Sequence, residues 1–103
     1  MRESTIQKSI LDYLKSQNIY HFRLNSGKIQ TIWMTWVQLA PMGSPDVVCL
    51  YKSKFIAFEV KRPKEKQEPE QIKVENEIKQ AGGYYFVVRS VGEVKDILGG
   101  YKD

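Results

Sequence analysis

The run from Asp46 to Lys61, "DVVCLYKSKFIAFEVK", constrains this 103-residue chain more than any other stretch. Two segments rich in Val, Ile and Phe flank the dipeptide Lys52, Ser53, which predicts a tight β-hairpin whose strands face apolar surroundings. Pro63 stops the second strand, because proline has no N–H to give to a ladder. A hairpin of this composition belongs in the middle of a sheet, so the rest of the chain must supply the layers that cover it. Yet it carries Asp46, Glu59 and Lys61, and an isolated buried charge is strongly destabilising.

With Lys52 and Ser53 as the turn, Tyr51 pairs with Lys54 and Asp46 comes opposite Glu59. A slip of one residue would move one strand's side chains to the other face. Alternation puts Glu59 and Lys61 on one face with Phe55 and Ala57, the two charged groups roughly 6–7 Å apart, and turns Ile56, Phe58 and Val60 to the other. Two carboxylates about 5 Å apart repel by roughly 3 kcal/mol at an effective dielectric of about 20. A positive group is needed between them. Lys61 can supply it, and so can a hard divalent cation such as Mg²⁺ or Mn²⁺, which accepts one or two carboxylates, keeps several waters and binds substrate phosphate. Such an ion polarises a phosphodiester and lowers the pKa of a bound water, and a neighbouring lysine can orient that water. Read from the residues alone, two alternatives stay open: this apparatus, or a neutralised surface cluster in which Lys61 bridges Glu59, since surface ion pairs are common.

Sixteen Lys and Arg against twelve Asp and Glu leave a net charge of +4. Between Lys52 and Lys66 the basic residues Lys52, Lys54, Lys61, Arg62, Lys64 and Lys66 face only Glu59 and Glu65, so the excess lies beside the hairpin. A basic surface flanking a carboxylate pair suits a polyanion. The single cysteine, Cys49, lies in a β-type run and reads as a buried apolar residue of a reducing compartment. The apolar runs fall short of the roughly 20 residues that cross a bilayer, and "MRESTIQKSI" lacks the apolar core of a secretory signal, so a cytoplasmic protein without membrane contact is expected.

Around the hairpin, Ile6, Ile10, Leu11 and Leu14 recur at helical spacing and predict a helix from Glu3 to Gln17. "YHFRL" and "QTIWMTWVQL" read as two strands or one bent hairpin about the turn "NSGK". Alternation sets Trp33 and Trp36 on opposite faces, with core as the default for each and a dimer interface or a stacking platform for a splayed base as the use of an exposed one. Pro69 opens a second helix whose face is Gln71, Val74, Ile78 and Ala81 and which ends at "AGG". "YYFVV" is a short buried strand and "VGEVKDIL" a last short helix. His21 is the only histidine and Cys49 the only cysteine, too few ligands of these types for a zinc site. The expectation is one α/β domain over residues 1–103, a mixed sheet with helices against it, in the order αβββαβ with a short C-terminal helix.

"PD", twelve residues, then "EVK" resembles the signature of the PD-(D/E)XK nuclease superfamily and its restriction-endonuclease-like core. The surroundings resemble the VRR-NUC branch: Glu3 at the start of the first helix, "GSPD" before the acidic strand, Gln71 on the helix after the lysine, and "AGGYYFVVRS" as a helix ending in Gly before a Val-rich strand. The likeness spans Glu3 to Ser90. The branch is named for Val-Arg-Arg, and here the order is Val88, Arg89, Ser90. Carried over residue by residue, the resemblance implies Asp46, Glu59 and the Val60 carbonyl as ligands of Mg²⁺ or Mn²⁺. It implies Lys61 as the residue that positions the attacking water, with Gln71 and Glu3 completing the site. Lys52, Lys54, Arg62, Lys64, Lys66 and Arg89 would then contact nucleic acid. As a stand-alone domain the chain is similar to small viral and bacterial members, which implies a phage-encoded homodimer in a bacterial cytoplasm that cuts branched DNA such as four-way junctions. The alternative is a nuclease-like fold that binds nucleic acid without cutting it.

Overall fold

The structure, a computed structural model, describes residues 1–25 and 28–101; of the turn "NSGK", Ser26 and Gly27 lie outside the described residues. The central hairpin forms as its turn dictates. Strands β4 (Val47–Tyr51) and β5 (Lys54–Val60) pair antiparallel with Tyr51 opposite Lys54 and Val47 opposite Phe58. Lys52 and Ser53 both take positive φ, 49° and 66°, the twist of a two-residue primed turn achieved here without glycine.

On one side of this pair lies β1 (Tyr20–Arg23), antiparallel to β4, and on the other β6 (Tyr84–Val88), parallel to β5, giving the four-stranded mixed order β1-β4-β5-β6. A parallel neighbour needs a crossover, and helix α2 (Pro69–Gln80) provides it. The sheet's two faces carry different layers. Ile56, Phe58 and Val60 pack with Val47 and Cys49 against Ile6, Ile10 and Leu14 of α1 (Glu3–Ser16) and Val94 and Leu98 of α3 (Val91–Gly99). Val48, Ala57 and Tyr85 form a smaller cluster on the opposite face, with Ile78 of α2 against it. No residue of α2 is fully buried, so the face predicted from Gln71, Val74, Ile78 and Ala81 is only a shallow seat. Cys49 is buried and unbridged, and its burial pushes the thiol up to about 11, which keeps it protonated and inert.

The larger departure concerns "QTIWMTWVQL". It is not a single strand: β2 (Lys28–Gln30) and β3 (Trp36–Gln38) pair with each other in a separate two-stranded sheet, joined by a turn in which the Thr31 N–H donates to the Thr35 carbonyl at 2.8 Å. Its side chains are not core. Trp33 is 77% and Trp36 66% exposed: Trp33 lies in the turn rather than on a strand, and no layer of described residues covers either side chain.

Candidate active site

Pro45 is buried and leads into Asp46, where the hairpin departs from its strict register. Val47 is the partner of Phe58, yet the Asp46 N–H also donates to the Phe58 carbonyl, at 3.1 Å, so two residues stand against one as in a bulge. Asp46 is therefore not squarely opposite Glu59 as the turn alone implies. Bulges re-aim side chains, and this one lets Asp46 Oδ2 accept the Val60 N–H at 2.7 Å. The carboxylate is held by the strand whose next side chain is Lys61.

Glu59 and Lys61 are the two charged residues buried among the described residues, 2% and 7% exposed. Burial pushes the Glu59 carboxyl up to about 9, and its hydrogen bond to Asp46 and that residue's charge act in the same sense, while Lys61 opposes them. Without a cation Glu59 thus keeps its proton through the neutral range, because burial and the nearby Asp46 both disfavour its charged form. The Tyr85 hydroxyl donates to Glu59 Oε1 at 3.3 Å, and Gln67 Nε2 reaches both Tyr85 Oη (3.3 Å) and Glu75 Oε1 (3.1 Å). Burial raises the Tyr85 hydroxyl's pKa, with the Glu59 charge adding to it, so the group stays a donor.

Glu3, in the first turn of α1, arrives at the same end of the sheet. Its carboxyl is raised, first by burial, then by a hydrogen bond to Glu65 and by the Glu65 charge; Lys61 lowers it and Asp46 raises it further. Glu65 is itself lowered, chiefly by the Arg62 N–H, which it accepts at 2.6 Å. That contact folds the loop back, and Arg89 Nη2 donates to the Glu65 carbonyl at 2.7 Å. Lys66, Gln67, Ile72, Val87 and Arg89 line a cleft of about 440 Å³ beside this loop.

Two expectations are corrected. Gln71 does not reach back into the site: its Oε1 accepts the Glu68 N–H at 2.8 Å and serves the start of α2. Lys52 and Lys54 do not join Arg62, Lys64 and Lys66 in one surface, because they sit at the turn, the length of β5 away; Lys52 Nζ donates to the Tyr101 carbonyl at 3.0 Å, and Lys54 Nζ lies 5.0 Å from the Tyr101 ring centroid. At Gly43, φ 87°, the Glu70 carbonyl fills the place where a Cβ would stand, so the position requires glycine. Tyr85 and Gln67 were missed. "YYFVV" marked Tyr85 as core, and only the parallel register, Ala57 opposite Tyr85, brings its hydroxyl within reach of the next residue inward on β5's same face, Glu59.

As ligands the two carboxylates suit a hard cation better than a soft one. Among the described residues no group of three His, Cys, Asp or Glu side chains is gathered tightly enough to hold a metal alone. Asp46 and Glu59 offer the hard oxygen donors that a divalent cation with water and phosphate as further ligands accepts.

A solved structure described as a "VRR_NUC domain" superposes on this chain with a TM-score of 0.70, covering 97% of each chain at 19% sequence identity. The fold is that of a VRR-NUC domain. No protein-family sequence model matches the chain and no curated protein matches its sequence. Within the VRR-NUC fold, Ser90 gains a local explanation: its hydroxyl accepts the Glu93 N–H at 3.2 Å and caps α3, a task an arginine cannot perform.

Proposed function

We propose that the chain is a divalent-metal-dependent endonuclease that hydrolyses DNA phosphodiesters. The observation that carries this reading is the buried Glu59, hydrogen-bonded to Asp46 and with its carboxyl raised by burial and by that neighbour, beside the buried Lys61. A structural cluster has no need of a buried carboxyl set against a second one, whereas a cation site does, because metal binding displaces the proton that Glu59 holds. Asp46, Glu59 and the Val60 carbonyl would hold Mg²⁺ or Mn²⁺, which supplies Lewis acidity toward the phosphodiester and an acidified water.

The chain's own groups do the rest. The Val60 N–H fixes Asp46, and Tyr85, backed by Gln67, fixes Glu59, so neither carboxylate must reorganise when substrate arrives. Lys61, shielded from bulk water, orients the attacking water through its Nζ and offsets charge developing on the phosphoryl oxygens. Glu3 closes the outer side of the site. Arg62, Lys64, Lys66 and Arg89 attract and seat the phosphate backbone next to it.

Branched DNA and a homodimer complete the proposal. Tyr20, Phe22, Leu50 and Phe55 share the half of the sheet that α2 leaves open and are all exposed, an apolar area suited to pairing copies. No helix among the described residues is long and apolar enough to cross a membrane. The deciding experiment is cleavage of labelled linear duplex, single-stranded and four-way-junction DNA with Mg²⁺, Mn²⁺ or EDTA, wild type against Asp46→Ala. Metal-dependent cutting lost in the variant supports the reading. A shifted band in EDTA with no cutting in any metal replaces it with a binding module.

A further inference from the structure

We propose that the β2–β3 hairpin is a wedge that enters DNA at unpaired bases and stacks on them with Trp33 and Met34, selecting the branch point beside which the carboxylate site cuts. This rests on the nuclease reading above and adds the element that chooses the substrate.

The arm is rooted at the site. It leaves the sheet after Leu24, whose N–H donates to the carbonyl of Asp46 at 2.9 Å, and its two sides are closed by the Ala40 N–H on the Asn25 carbonyl at 2.8 Å. From Asn25 the tip lies within about 26 Å even if the chain is fully extended. Wedge and carboxylates therefore meet the same stretch of nucleic acid.

The tip is built to hold large apolar groups outward. The Thr31 and Thr35 hydroxyls bond at 2.7 Å, the Thr31 carbonyl accepts the Met34 N–H at 3.0 Å, and Thr31 Oγ1 accepts the Trp33 N–H at 3.2 Å. Turn apices favour Gly, Asn and Asp, yet here Met34 sits at φ 64°, a conformation costly for its side chain. Exposure rises toward the apex, from 42% at Val37 and 51% at Ile29 to 72% at Met34 and 87% at Ile32. A flat interface would load the broad faces of the ribbon; apical loading suits entry into a narrow gap, and apolar wedges of this kind intercalate between base steps.

Charge points to the same occupant. The chain has twelve Asp and Glu, but none lies between Asp12 and Asp46, while Arg23 and Lys28 stand at the arm's base. A phosphate backbone running from the site along the arm meets no acidic side chain from this segment.

Trp33 and Trp36 are the chain's two tryptophans, so tryptophan emission reports on the arm alone. The full chain in EDTA is titrated with a four-way junction, a duplex containing unpaired bases and a fully paired duplex. Emission should be quenched about 2-fold or more by the first two and little by the third. Trp33→Ala should weaken binding to unpaired sites about 10-fold while binding to paired duplex stays within about 2-fold, and Trp33→Phe should restore most of it. Bound DNA with unchanged emission overturns the wedge. So does a blue shift that grows with protein concentration before DNA is added, which would show a second copy covering the arm. Cleavage lost in Asp46→Ala alongside unresponsive emission sinks the wedge alone; no DNA binding even at low salt sinks the nuclease reading and the wedge together.

Discussion

At the Asp46 end of the central hairpin the chain buries charge, and on the arm that enters just before it the chain exposes its two tryptophans. Each region departs from the usual partition of polar and apolar groups, in opposite directions. They also differ in what supports them. Glu59 and Lys61 lie on a strand whose other face, Ile56, Phe58 and Val60, is locked under α1 and α3, so the core bears the cost of the buried charges. The arm has no second layer, and an isolated two-stranded ribbon contributes little to stability. The carboxylate site is thus held by the packing of the whole fold, while the arm is held by the hydrogen bonds within its own ribbon and turn.

The largest effect that could break this comparison is on cleavage. Asp46→Ala, Glu59→Ala and Lys61→Ala should each lower the Mg²⁺- or Mn²⁺-dependent rate by about 10³-fold or more, near 4 kcal/mol of transition-state stabilisation, with far-UV circular dichroism unchanged. A purified Glu59→Ala protein that still cuts at the wild-type rate would mean that the carboxylate pair is not the site.

Next in size is a pH effect on the metal-free chain. Between the ordinary glutamate range and about pH 9 the folded chain keeps a proton on Glu59 that the unfolded chain has released, so the stability due to this group is full at the acidic end and is lost as pH rises. Metal-free Tm should fall on going from about pH 6 to pH 9, and each 1 kcal/mol corresponds to roughly 4–8 °C in a domain of this size. Glu59→Gln should flatten that slope, and added Mg²⁺ should raise Tm most at high pH, where no proton competes for the carboxylates. A wild-type slope equal to that of Glu59→Gln would show that the carboxyl does not hold its proton.

Gln71→Ala sharpens the boundary of the site. Lost capping should cost about 1 kcal/mol of stability and leave the saturated cleavage rate within about 3-fold. A rate loss as large as that of Lys61→Ala would return Gln71 to the site. Smallest of all is the structural effect of the arm: Trp33→Ser and Trp36→Ser should each change stability by about 0.5 kcal/mol or less in urea unfolding, as exposed substitutions do. A loss several times larger would show the arm packed in solution.

Much of the architecture is legible without coordinates because it depends on near neighbours. The 3.6-residue spacing of Ile6, Ile10 and Leu14, Pro69 at the start of α2, the glycines after it and the two-residue turn at Lys52 and Ser53 each decide the local backbone within a few residues. The hairpin register follows from that turn, and with it the shared face of Glu59 and Lys61. The likeness of "GSPD" and "EVK" to VRR-NUC sequences pointed to the fold that the superposition shows at 19% identity.

Other features depend on which distant segment comes to cover or to meet a given face, and no local pattern carries that. Alternation along one strand would set Trp33 and Trp36 on opposite faces, but the chain turns at Trp33 and no layer of described residues covers either, so both are exposed. Lys52 and Lys54 are close to Arg62 along the chain and far from it in space, because a strand converts sequence separation into length. The bulge at Asp46, the Tyr85 hydroxyl on Glu59 and the arrival of Glu3 beside Lys61 arise where separate elements pack. The sequence by itself determined the elements and the order of the chemical groups along them; the tertiary structure decided which groups are dry, which are paired and which face solvent, because burial and proximity belong to pairs of elements rather than to any one of them.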